Sequence, residues 1–244
     1  MDQVLTYPNK RNNRMNIERL EIKLNECRED LKEKSQRFTS QRFTIEDRAK
    51  WKKQHHKCLE IEREIAMLGG KETALPIEWS VKWDVGAPLP HVMSGSGRTF
   101  LIYYAFRTKL DHDKRLVKIV DDINEGTDSI ALVEFLTCYD FRFGGPNDEV
   151  HQGYPLYGKG LELYQAHTVS NSKWLESVEK TNQIHSGYNP DSWRRYKHFL
   201  LLFHDELFEC LAKSYYIEIY GRSMDDVLEI ALNRMIGREK SMPK

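Results

Sequence analysis

Residues 130–143 read IALVEFLTCYDFRF, and the class of the protein turns on how this stretch is folded. In an extended chain Val133, Phe135, Tyr139, Phe141 and Phe143 share one side, while Glu134, Cys138, Asp140 and Arg142 share the other. That period of two predicts a strand with one apolar face. Upstream, TFLIYYAF at 99–106 is apolar on both sides, as expected for a strand covered on both faces. Alternating Trp79, Val81 and Trp83 predict another strand over 79–85. Downstream, 164–169 reads as a short strand, 196–212 as a hairpin bent near Asp205 and Glu206, and 215–220 (YYIEIY) as a further strand. Residues 110–124 fit a short helix or an irregular strand.

Two helices punctuate this run. One starts at the capping residues Ser170, Asn171 and Ser172 and runs to about His185, with Trp174, Val178, Asn182 and His185 on one face. The last is capped by Ser223, carries Asp225 and Asp226 in its first turn, and buries Met224, Val227, Leu228, Ala231 and Met235 before Gly237 ends it. The expected class is α+β over residues 79–240: a mainly antiparallel sheet with helices on one side.

Toward the N-terminus the period changes. Residues 1–14 have no apolar rhythm and predict a disordered arm. From 15 to 70 the apolar residues recur three and four apart: Ile17, Leu20, Leu24, Cys27 and Leu31, then Trp51, Cys58, Ile61, Ile65 and Leu68. Thr44 and Asp47 make a capping-box variant at the start of the second series, and Gly69 and Gly70 close it. Folding the chain back near 40–41 matches the stripes as an antiparallel, coiled-coil-like helical hairpin, with Leu24 opposite Cys58 and Leu31 opposite Trp51. Residues 71–78 (KETALPIE) read as a linker.

Composition excludes several classes. The chain has 244 residues, 40% hydrophobic and 30% charged, and a net charge of zero. Such a balance gives no global argument for a nucleic-acid or membrane partner. No apolar run is long enough to span a bilayer, and the N-terminus lacks the apolar segment of a secretory signal. Cys27, Cys58, Cys138 and Cys210 are widely spaced, which predicts neither a zinc knuckle nor a disulfide framework but small buried side chains in a reducing cytoplasm. The basic stretch at Lys50, Lys52, Lys53, His55, His56 and Lys57 fits the solvated face of a helix. Trp193, Arg194, Arg195, Tyr196 and Lys197 interleave aromatic and basic side chains, the pattern of a single-stranded nucleic-acid contact, although five residues do not make a groove.

Functional interest centres on 143–161, FGGPNDEVHQGYPLYGKGL. A long glycine- and proline-rich segment between regular elements is a usual place for a binding site. The candidate ligand-binding residues are Asn147, Asp148, Glu149 and His151 from this loop, His204, Asp205 and Glu209 from the 196–212 hairpin, and Asn182 and His185 as a second wall. Carboxylates with imidazole suit a divalent metal ion, so Asp148, Glu149, His151, His204, Asp205 and Glu209 would be its ligands if one is bound. Turn capping explains Asn147, Asp148 and Asp205 equally well, and no HExxH, CxxC, GxSxG or phosphate-loop pattern occurs.

The segments Gly145-Pro146-Asn147-Asp148-Glu149, 153–156 and 198–209 (HFLLLFHDELFE) resemble an uncharacterised family of bacterial proteins over roughly 79–220. The resemblance implies a bacterial domain and supplies no activity. The expectation is a non-enzymatic binding or regulatory protein of a bacterial cytoplasm, without a cofactor, whose hairpin self-associates or docks a protein partner. The alternative is a metal-assisted hydrolase or nuclease.

Overall fold

The computed structural model describes residues 10–36, 44–95, 97–106, 117–120 and 128–237. The bend near 40–41 and most of 110–127 lie outside them. The chain divides into two compact units: Met1–Leu75 with Pro155–Glu162, and Pro76–Tyr154 with Leu163–Lys244.

The first unit is built on α1 (Lys10–Gln36) and α2 (Ile45–Leu68). Helix α1 already begins at Lys10, inside the stretch read as a disordered arm. Thr44 caps α2 through the reciprocal bonds with Asp47 that the sequence foretold. Leu20, Leu24, Cys27, Cys58 and Ile61 bury the seam, each Leu and Ile contributing about 1.5–3 kcal/mol. The register differs from expectation. Cys27, not Leu24, faces Cys58, and the Trp51 indole donates to Ser35 Oγ at 2.9 Å. A slip of about one helical turn keeps one apolar stripe against the other, so periodicity alone does not choose between registers. The cysteines correct a second expectation. Cys27 and Cys58 form a disulfide across the seam, with Cα atoms 5.8 Å apart.

The far side of α2 carries Arg63, which donates to the carbonyls of Gly160 at 2.8 Å and Ala74 at 3.2 Å. Gly160 has φ +84°, and a Cβ there would lie 2.1 Å from Arg63 Cγ, so only glycine fits. Residues 73–76, read as linker, contain strand β1 (Thr73–Pro76), whose Thr73 and Ala74 are fully buried.

The second unit holds β2 (His91–Gly95), β3 (Arg98–Tyr104), β4 (Val117–Ile119), β5 (Ile130–Leu136), β6 (Asp140–Gly144), β7 (Ala166–Ser170), α3 (Lys173–Asn182), α4 (Pro190–Trp193), β8 (Lys197–Leu202), β9 (Leu207–Ala212), β10 (Ser214–Tyr220) and α5 (Met224–Met235). It is α+β and dominated by antiparallel pairing, as the sequence predicts. The strands divide between two sheets. One runs β2–β3–β5–β10–β4, antiparallel except for β4 beside β10; the other contains β7–β8–β9–β6, antiparallel throughout. Leu101, Tyr103, Val133, Phe135 and Ile217 from the first sheet share one core with Phe199, Leu201, Phe208 and Cys210 from the second. Helix α5 packs Met224, Val227 and Ala231 on Phe100, Ile102, Ile130 and Leu132, the other face of the first sheet.

Residues 130–143 are not one strand. Thr137 takes φ +56°, and the chain leaves β5 in one sheet to enter β6 in the other. Alternation persists across the break because both pieces face the shared core, so the pattern hides the change of sheet. The 79–85 segment is likewise not a regular strand: it makes a single bridge, Trp83 with Ala105. Its alternation reflects the burial of Trp79, Val81 and Trp83, which a backbone achieves without a ladder.

Candidate functional site

Strand β6 ends at Gly144, a cis bond joins Gly145 to Pro146, and a 3-10 turn spans Asp148–Gly153. This turn meets the bend between β8 and β9. The Asp148 amide donates to the His204 carbonyl at 3.0 Å, and Asp148 Oδ1 lies 3.2 Å from His204 Nδ1. Tyr164 donates its hydroxyl to Asp148 Oδ2. His151 Nδ1 lies 2.6 Å from the Asp148 carbonyl, which can only accept, so that nitrogen carries the proton. Asp205 stands at 3.9 Å from His204 Nδ1. Asn147 Oδ1, Asp148 Oδ1 and His204 Nδ1 are all shielded from solvent without a well-aligned hydrogen bond.

The electrostatics follow from these contacts. The Tyr164 hydroxyl, against the opposing effect of burial, and His204 hold the Asp148 carboxyl below its ordinary range. A backbone hydrogen bond and the Asp148 charge hold His204 above its own. Burial beside Asp148 pushes the Tyr164 phenol up to about 12.

Glu209 belongs to a different cluster. Its Oε1 accepts from Tyr154 at 2.6 Å and lies 3.0 Å from His198 Nε2, while His198 Nδ1 is 2.8 Å from Ser172 Oγ. Ser172 also caps α3 by accepting from the Leu175 amide at 3.1 Å. With Ser172 donating to Nδ1 and the Nε2 proton donated to Glu209, every group is satisfied. The Trp174 ring stands edge-on to His198 at 5.1 Å, and Arg142 lies 4.0 Å over Trp174. Burial acts to raise the Glu209 carboxyl, but the bonds from His198 and Tyr154 outweigh it and the net shift is downward. Hydroxyl, imidazole and carboxylate stand in the order of an acyl-transfer triad. Here the hydroxyl caps a helix and all three residues are buried, so the chain braces the fold.

Asn182 and His185 line neither cluster. With Gly187, Tyr188, Asn189, Ser192, Trp193 and Arg195 they line a cleft of about 370 Å³. Asn182 donates to the Tyr139 hydroxyl at 2.7 Å, and the Gly187 amide donates to His185 Nδ1. Of the aromatic and basic run beside it, Trp193 is buried and Arg194 pairs with Asp191 at 2.7 Å. Glu149 is exposed.

Of the nine candidates, Asn147, Asp148, His151, His204 and Asp205 therefore meet at one corner. Glu209 is drawn away by His198, the pair Asn182 and His185 by the cleft. Among the described residues no group of three His, Cys, Asp or Glu could hold a metal ion. Tyr154, Tyr164, Ser172, His198, Trp174 and Arg142 were not on the candidate list. One signal was available: His198 falls on the same strand face as Leu200 and Leu202, where an imidazole needs a buried partner. None of the described helices is long and apolar enough to cross a membrane. No family model, curated protein or solved structure matches the chain, so the bacterial resemblance rests on its own quoted segments.

Proposed function

We propose that the protein is a non-enzymatic binding or regulatory protein of bacteria whose helical hairpin docks a protein partner or a second copy. The observation that carries this reading is the end of the hairpin where α1 begins and α2 finishes. A cleft of about 390 Å³ there is lined by Ile17 and Leu68 and rimmed by Asn13, Arg14, Glu18 and Glu21. Met15 and Met67, next to that lining in sequence, are exposed. An apolar floor with exposed, polarizable Met side chains nearby in sequence suits an adaptable protein contact. The test is the solution mass of the full chain against Ile17→Glu with Leu68→Glu. The reading expects a heavier species, self-associated or partner-bound, that the double variant loses; a single-chain mass for both, with no partner retained selectively by wild type, rejects it. A cytoplasmic setting, read from the sequence, must answer to the disulfide: a Cys27 to Cys58 bond that persists in freshly isolated protein favours an oxidising compartment.

One observation favours metal-assisted hydrolysis as the second reading. Asn147 Oδ1, Asp148 Oδ1 and His204 Nδ1 are oxygen and nitrogen donors left without aligned partners at one corner, a set that suits a hard divalent ion. An ion bound there raises the melting temperature of wild type and not of Asp148→Ala. Identical melting curves with and without manganese or magnesium remove this reading.

A further inference from the structure

Strand β6 pairs only with β9 among the described strands, and it stands last in its sheet. Its Phe141 and Phe143 are matched with Cys210 and Phe208 of β9, whose side chains lie in the core between the sheets. Yet Phe141 is 36% and Phe143 40% exposed, and Tyr139 just before the strand is 48% exposed. The shared core therefore runs out to the sheet edge, where Phe141 and Phe143 stay partly exposed while the Tyr139 ring packs on Trp193 at 5.2 Å and Tyr196 at 6.4 Å. An open edge with aromatic side chains is a template for another strand.

The sequence of this edge says which strand. Residues 139–143 read Tyr-Asp-Phe-Arg-Phe, which is self-complementary when laid antiparallel against itself about Phe141. In that register Asp140 of each chain stands opposite Arg142 of the other, Tyr139 opposite Phe143, and Phe141 opposite its own copy. Both charge pairs are attractive and all the ring pairs are aromatic, the combinations that stabilise cross-strand neighbours. A two-fold axis requires this arrangement, because the same patch must complement itself. Charge and face also agree with β6 as it stands. Asp140 and Arg142 share the face away from the core, where Arg142 is already ordered over Trp174. The Phe141 amide, a donor that such pairing uses, is occupied in the single chain by the Asp140 carboxylate at 2.9 Å. That carboxylate is released to Arg142 of the second copy when the backbones join.

We propose that β6 is an isologous interface: two copies of this chain pair their β6 strands antiparallel about Phe141, joining their sheets edge to edge through main-chain hydrogen bonds. The contact involves residues of the α+β unit only and is independent of the cleft at the hairpin end.

The experiment is a charge exchange read by sedimentation of the full chain over a dilution series. Wild type is expected to dimerise. Asp140→Arg sets Arg against Arg at two places in each dimer, and Arg142→Asp sets Asp against Asp; each alone weakens dimerisation by roughly tenfold or more. Mixing the two variants restores a heterodimer, since every charge pair is then attractive. A structural defect in either variant would not be repaired by mixing. Circular dichroism and melting of each variant confirm that it is folded. A wild type that stays monomeric, a dimer indifferent to Asp140→Arg, or a mixture of folded variants that remains monomeric overturns the proposal. A dimer lost with Ile17→Glu and Leu68→Glu but kept with Asp140→Arg belongs to the hairpin instead.

Discussion

The Asp148 corner and the Glu209 chain are made from the same groups and use them differently. Each sets a carboxylate against an imidazole and a tyrosine hydroxyl. Around Glu209 each side chain is hydrogen-bonded and Ser172, His198 and Glu209 are buried, so the interactions are strong and any unmet group is costly. Around Asp148 the imidazole side chain of His204 is 41% exposed and three polar atoms lack aligned partners. Burial, more than residue type, makes one cluster a brace and leaves the other open to titration or to a ligand.

The most severe way to break this contrast is at Glu209. Glu209→Ala strands the His198 and Tyr154 donors in a buried site, and we expect a loss of about 3–5 kcal/mol in urea unfolding. Asp148→Ala, tested alongside, is expected to lose far less; equal losses would erase the distinction. Ser172→Ala removes both the α3 cap and the His198 partner, with an expected loss of about 1–2 kcal/mol. Ser172→Thr, which keeps a hydroxyl, should recover part of it.

Acid sharpens the comparison. Because the folded Glu209 carboxyl is held below its ordinary value, its contribution is complete above the unfolded pKa and fades as pH falls through the folded one. The stability gap between wild type and Glu209→Gln should therefore narrow on acidification, as followed by urea midpoints at successive pH values. The smallest effect is local. His204 titrates above the 6.5 of a free imidazole, so its contribution is present below that value and is lost as pH rises through the raised one. Asp148→Asn should lower the His204 midpoint in a proton NMR titration, while unfolding near neutral pH barely changes. An unmoved midpoint would show that the His204 backbone bond alone sets it.

Much of this could be read in the chain because it depends on local signals. The capping box at Thr44, the caps at Ser172 and Ser223, the β8 to β9 bend at Asp205 and the finish at Gly237 all declare themselves within a few residues. What the sequence concealed depends on contacts between distant segments. Nothing near Thr137 distinguishes a strand that continues from one that passes into a second sheet. The seam of α1 and α2 accepts several registers, and the contacts of Cys27 with Cys58 and of Trp51 with Ser35 show which is taken. At the candidate site the loop and the bend meet at Asp148 and His204. Glu209, five residues beyond His204 on the same hairpin, does not join them, because β9 carries it to His198.

The bond between Cys27 and Cys58 makes the two helices of the hairpin a single covalent body whatever happens to the chain between them. A protease that cuts between residues 36 and 44 would yield two fragments that migrate together on a non-reducing gel and part when a thiol reagent is added. Cleavage between α1 and α2 therefore need not release α1.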